Sequence, residues 1–118
     1  MAVDLSALYA NLPASMVDAQ KMLEASIQAY GDAVDVEAQA EYEYRTKKAE
    51  VIRRLREEKM PVGMAVDLAQ GETADLKRSV MQAEGAKKKC AYLIDGYRER
   101  LFNLRHIGNS ISKNNTNL

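Results

Sequence analysis

The composition of this chain excludes several classes of protein. Its 118 residues include 17 basic and 17 acidic side chains, one cysteine, one histidine and 47% hydrophobic residues. A single cysteine cannot close an internal disulfide, and with a single histidine it cannot complete a zinc site, so disulfide-stapled scaffolds and zinc modules are excluded. No apolar run reaches the roughly 20 residues that span a bilayer. We therefore expect one domain, 1–118, in a cytoplasmic protein without membrane contacts.

The net charge of zero conceals an uneven distribution. Residues 1–44 contain eight acids and one base, residues 45–59 seven bases and three acids, and residues 60–118 nine bases and six acids. Local fields can attract an anionic ligand or a neighbouring subunit even when the whole chain is neutral.

The first predicted element is a long helix over about 15–59. Between Pro13 and Pro61 the chain has no proline and only one glycine, Gly31, where a bend is allowed, while strong helix formers are abundant. Apolar side chains follow a coiled-coil spacing and then slip in register. The predicted contact positions are Met16, Leu23, Ile27, Tyr30 and Val34, followed by Ala38, Tyr42, Ala49, Ile52 and Leu55.

A break is predicted at Lys59-Met60-Pro61-Val62-Gly63, since proline disfavours helix at the preceding residue and glycine permits unusual backbone angles. A short helical turn, Met64 to Ala69, should follow and end at Gly71. We expect residues 1–13 and 113–118 to be flexible ends.

The second long helix is predicted over about 72–112. Its apolar positions follow an unbroken four-three alternation, in which only Lys87 is charged and Gly108 has no side chain. These positions are Leu76, Val80, Ala83, Lys87, Cys90, Ile94, Tyr97, Leu101, Leu104, Gly108 and Ile111.

These elements predict an all-α fold, a long antiparallel helical hairpin with a short helical turn at the hinge. A hairpin of two such helices has too little interior for its apolar residues, which favours a homo-oligomer, either a helical bundle or a ring.

No catalytic, cofactor or metal site is predicted. The chain has no phosphate-binding glycine loop and no nucleophile motif, and Cys90 and His106 are too far apart on one helix to act together. Three tyrosines beside charged residues, Tyr42, Tyr44 and Tyr92, favour an oligomer interface over nucleobase stacking. We therefore expect a protein that is not an enzyme and needs no cofactor.

The basic segment 45–59 is the candidate binding site. Long cationic side chains at helical spacing suit a phosphate backbone. The candidate nucleic-acid-binding residues are Lys47, Lys48, Arg53, Arg54 and Arg56. The alternative is a solvated face with pairs one helical turn apart, such as Arg54 with Glu50 or Glu58.

The order of these features resembles the UvsY-like recombination mediators of T-even phages and small helical proteins from recombination regions of other phages. The stretch Lys47-Lys48-Ala49-Glu50-Val51-Ile52-Arg53-Arg54-Leu55 is similar to that family's basic DNA-contacting segment. Arg100-Leu101-Phe102-Asn103-Leu104-Arg105-His106-Ile107 is similar to its C-terminal helix, and residues 69–77 to the opening of the last helix in the small phage proteins.

The resemblance implies a homo-oligomer that binds single-stranded DNA, helps to displace single-strand-binding protein and loads a RecA-type recombinase. Arg54 is the closest match to the family's DNA-contacting arginine. A phage-encoded protein of this kind would act in the host cytoplasm. The alternative function is a helical protein-binding module that inhibits or scaffolds a host or phage protein.

Overall fold

The computed structural model describes the backbone of residues 5–116 and the side chains of residues 10–113. The chain forms three helices, α1 (Leu5–Glu57), α2 (Val62–Glu72) and α3 (Ala74–Thr116). No strand occurs within residues 5–116. The prediction of an all-α fold is confirmed.

Each long helix extends beyond its prediction at the end far from the hinge and stops two residues short of it at the hinge, at Glu57 for α1 and Ala74 for α3. α1 begins at Leu5 instead of about residue 15, with Pro13 inside it, and α3 continues to Thr116 instead of 112. Pro13 has no backbone N–H to donate to the helix, and its neighbour Leu12 is buried. The expected flexible ends fall partly on residues 1–4 and 117–118, which lie outside the described residues.

The break after α1 falls where it was predicted, but a lysine makes the turn instead of a glycine. Lys59 has φ 64°. Met60 N–H donates to the Leu55 carbonyl at 3.1 Å and Lys59 N–H to that of Arg56 at 2.9 Å. This is the Schellman pattern that satisfies the last carbonyls of a helix. Gly63, in contrast, lies inside α2.

The predicted turn over 64–69 is a full helix, α2, of 11 residues. Thr73 joins it to α3 and is completely buried. Its hydroxyl donates to the Ala69 carbonyl at 2.7 Å, so the buried polar group is satisfied. Its own carbonyl accepts a bond from Lys77 N–H at 2.9 Å, which starts α3.

The chain divides into two compact units, Met1–Ala29 with Cys90–Leu118, and Tyr30–Lys89. In each unit a segment of α1 packs against a segment of α3 that runs in the opposite direction, so the helical-hairpin fold is confirmed. Whether one domain or more describes the chain stays a prediction, as does assembly into a bundle or ring.

The Tyr30–Lys89 unit contains the hinge and its core. Val51, Leu55, Ala65 and Ala69 form a buried cluster, with Ile52 and Met60 packed against it. The alanines of α2 are fully buried, since small side chains let this short helix approach α1 closely.

The other unit is held together where α1 begins and α3 ends. Leu12, Ala19 and Leu101 are buried. A Cβ added to Gly108 would lie 3.2 Å from Leu12 Cδ2, so the absence of a side chain at this position permits the observed approach.

The contact face of α3 is confirmed. Every predicted position with a described side chain, from Leu76 to Ile111, is buried or half-buried. Cys90 is among them and is half-buried.

The predicted contact face of α1 is partly wrong. Met16, Leu23 and Leu55 are indeed buried or half-buried. Ile27, Val34 and Tyr42, in contrast, are exposed by 47%, 39% and 66%. The predicted positions Tyr30, Ala38 and Ala49 are exposed as well. Small residues occupy the contact face in their place, with a spacing of seven. They are Ala19, Ser26, Ala33 and Ala40.

The charged position of the α3 contact face is paired within the chain. Lys87 Nζ lies 2.7 Å from Glu37 Oε2, and the two side chains are 30% and 20% exposed. The hydrogen bond to Glu37 and the negative charge of that carboxylate raise the pKa of Lys87 above its ordinary 10.5.

Candidate nucleic-acid interface

The five predicted binding residues all lie on α1 within the Tyr30–Lys89 unit, and several of them already have partners. Lys47 Nζ lies 3.9 Å from Glu50 Oε1, and Arg53 Nη1 lies 2.8 Å from Glu57 Oε1. Such exposed pairs contribute little to stability, so a phosphate can displace the carboxylate at low cost.

Arg54 is held by a carboxylate of α2. Its Nη2 atom donates to both oxygens of Glu72, at 3.0 and 3.2 Å. The two side chains are 52% and 47% exposed. The alternative partners expected from the sequence, Glu50 and Glu58, lie one turn away on the same helix, whereas the observed partner becomes available only because α2 folds back on α1.

Arg56 hydrogen-bonds the backbone of the turn that follows α1. Its Nη1 atom donates to the Met60 carbonyl at 2.8 Å. One nitrogen of the guanidinium is therefore used in a structural hydrogen bond, while its other N–H donors can bind an anion.

Lys48 is the one predicted residue that joins a cluster with α3. Its Nζ atom lies 5.5 Å from the ring centre of Tyr44 and donates to the Tyr44 hydroxyl at 3.3 Å. Lys77 Nζ, from α3, lies 5.1 Å from the same ring centre. Tyr44 thus contacts lysines of two different helices, Lys77 through the face of its ring and Lys48 mainly through its hydroxyl.

An open groove of about 740 Å³ lies beside this cluster. We call it the tyrosine groove. It is lined by Tyr44, Gln70, Ala74, Lys77, Arg78, Met81 and Gln82.

The lining of the tyrosine groove contains two cations and no carboxylate. Arg78 and Lys77 both line it, and Lys48 contacts Tyr44, which is another lining residue. None of these three has a carboxylate within ion-pair distance among the described residues. The groove therefore combines an excess of positive charge with an aromatic ring, a set of groups suited to an anion attached to an apolar or planar body.

Sequence reasoning missed Lys77 and Arg78. They stand next to each other in the sequence, outside the basic segment, and a dibasic pair alone indicates little. The position of the hinge could have indicated them. A hairpin that turns near Met60 brings residues equally far from the turn in sequence next to each other, and Tyr44 and Lys77 form such a pair.

Cys90 and His106 lie in the other compact unit, on α3. Cys90 is half-buried and His106 is exposed. The expectation that neither has a catalytic role stays a prediction.

Comparison with known proteins identifies no relative: no protein-family model, curated protein or solved structure matches the chain. The resemblance to phage recombination mediators therefore stays a prediction. Among the described residues, none of the helices has an apolar stretch long enough to cross a membrane.

Proposed function

We propose that this protein is not an enzyme and that it binds single-stranded DNA through the backbone phosphates, at the tyrosine groove and the adjoining basic end of α1. The observation that carries the proposal is that Lys48 and Lys77 meet at Tyr44 while Arg78 lines the same groove, and that no carboxylate of the described residues lies within ion-pair distance of the three cations. Neutralising phosphates with such cations releases counterions, which is the main source of sequence-independent affinity.

In this proposal the predicted binding residues do not contribute equally. Lys48 is central, while Arg53 and Arg54 contribute only when a phosphate replaces Glu57 and Glu72. The site offers cations for the phosphates and a ring on which any base can stack, so binding should be nearly independent of sequence.

In the wider form of the proposal, the protein is a phage recombination mediator. It would act as a homo-oligomer in the host cytoplasm, help to displace single-strand-binding protein and load a RecA-type recombinase. This part rests on the similarity of residues 47–55 and 100–107 to the UvsY-like family and on the concentration of basic residues in the first of these stretches.

The test compares two double substitutions that remove the same charge. Lys77→Gln with Arg78→Gln changes the tyrosine groove, whereas Arg98→Gln with Arg100→Gln changes exposed positions of α3 in the other compact unit. The groove variant should bind a labelled single strand more weakly, and the slope of log affinity against log salt should fall by about 1.4, or about 0.7 for each phosphate contact.

The control variant should keep the slope of the wild type. Circular dichroism should show the same helix content in all three proteins. Equal loss of binding in both variants would mean that only the overall charge matters, and the assignment of the site would be wrong.

A protein-binding module is the second candidate function, and α2 favours it. Val62, Met64 and Leu68 are exposed by 56%, 56% and 46% on a helix of 11 residues. An exposed apolar surface that includes a flexible methionine is typical of surfaces that bind other proteins. If this candidate is right, the double variant Arg53→Glu with Arg54→Glu should still bind its protein partner, whereas Met64→Glu should abolish that binding.

A further inference from the structure

α1 carries a second apolar face that does not contact α3. Within the Tyr30–Lys89 unit it consists of Val34, Ala38, Tyr42, Ala49 and Ile52, which we call the outer stripe. At 100° per residue these side chains fall within an arc of about 80°, centred about 120° from the face that packs on α3, and one charged residue, Arg45, projects within the same arc.

The outer stripe is largely open to solvent. Val34 and Tyr42 are exposed by 39% and 66%, Ala38 and Ala49 are exposed, and only Ile52 is half-buried. An exposed apolar row along one side of a helix is typical of a helix that packs on another helix.

The charges beside the outer stripe are acidic along its N-terminal half and basic along its C-terminal half. Residues 30–43 contain five acids and no base, whereas residues 45–56 contain six bases and one acid. A second copy of α1 that runs antiparallel to the first would place the acidic half of each against the basic half of the other. A parallel arrangement would place like charges together.

We propose that the outer stripe binds the outer stripe of a second copy of this chain, in antiparallel orientation, with the two-fold axis close to Glu43 and Tyr44. In this register Ala38 lies opposite Ala49 of the second copy, and Tyr42 opposite its Arg45. This inference specifies the homo-oligomer of the proposed function and rests on it; its assays contain no DNA, because Arg53 and Lys48 flank the stripe and are also candidate DNA contacts.

The flanking charges agree with this register on both sides of the stripe. Asp35 and Arg53 lie on one flank of α1, and Glu41 and Lys48 lie on the other. Same-flank positions meet in an antiparallel helix pair, so Asp35 approaches Arg53 of the second copy, and Glu41 approaches its Lys48. Within one chain Arg53 has only an exposed partner one turn away, Glu57 at 2.8 Å, which it can exchange.

The stripe can be tested with two valines. Val34 belongs to the outer stripe, whereas Val36, exposed by 59%, points to a different side of the same helix. Val34→Lys should weaken self-association at least tenfold, as measured by sedimentation equilibrium without DNA, because it places a charge in the apolar contact and opposite Arg53 of the second copy. Val36→Lys should leave association unchanged. A wild-type protein that stays monomeric, or equal effects of the two variants, would overturn the proposal.

The orientation is tested separately with cysteines in a Cys90→Ala background. Ala38→Cys and Ala49→Cys variants are mixed and oxidised gently, since a disulfide forms only between residues whose Cα atoms approach within about 7 Å. The antiparallel register predicts a mixed disulfide between the two variants as the main product. Disulfides formed mainly between identical variants, or none, would overturn it. Because neither assay contains DNA, failure here is distinguishable from failure of the proposed DNA binding.

Discussion

The turn at Lys59 offers a direct test of how the hairpin is closed. Lys59 has φ 64° and is the only non-glycine residue with positive φ among those described. The left-handed conformation costs an ordinary residue about 1–2 kcal/mol. Glycine avoids this cost but gives up more freedom on folding, about 0.5–1 kcal/mol. Lys59→Gly should therefore stabilise the protein by about 0.5–1 kcal/mol.

The control is Lys59→Ala, which also removes the charge from the end of α1 but keeps the cost of the left-handed conformation. Urea denaturation followed by circular dichroism measures the free energy of unfolding of all three proteins. The glycine variant should also melt about 2–6 °C higher than the wild type. If the glycine and alanine variants have equal free energies of unfolding, the backbone at Lys59 is not strained and the explanation of the hinge is wrong.

Three further predictions concern the core and the ion pairs. Val51→Ala should lower the free energy of unfolding by about 2 kcal/mol, because Val51 is only 1% exposed and removing its two methyl groups leaves a cavity. A loss below about 0.5 kcal/mol would show that Val51 is not packed in the hinge core. Because the pKa of Lys87 is raised in the folded state, its pair with Glu37 should stabilise fully below about pH 10.5 and lose its contribution as the pH rises further. The difference in unfolding free energy between wild type and Lys87→Met should therefore shrink above that pH, and a constant difference would contradict the pairing. Glu72→Gln should cost less than about 1 kcal/mol, since its pair with Arg54 is half-exposed, and should strengthen DNA binding by releasing Arg54; weaker binding would show that Arg54 is not a phosphate contact.

The two long helices differ in how well their sequences predict their contacts. α3 has one apolar face, so its four-three spacing identifies the contact positions from Leu76 to Ile111. α1 has two, and the one with larger side chains, such as Val34 and Tyr42, is not the one that faces α3. The helices approach through Ala33 and Ala40 instead, and hydrophobicity alone gives such small residues little weight.

For the helix ends and the candidate site, too, the sequence predicts what neighbouring residues determine and misses what depends on packing between helices. The break before Pro61 was predictable because proline acts on its own neighbours. The helical conformation of Pro13 was not, since proline is disfavoured inside a helix and its neighbours in the sequence give no signal for it. Lys48 was predicted from local charge, but Lys77 and Arg78 join it only through the pairing of α1 with α3.

Binding of a fluorescently labelled single strand by the wild-type protein, measured by anisotropy while salt is raised, tests the central claim most directly. The account predicts binding at low salt with little dependence on base sequence and a linear fall of log affinity with log salt, with a slope of about −2 if Lys48, Lys77 and Arg78 each contact one phosphate. The absence of binding at low salt, or an affinity that does not change with salt, would contradict it.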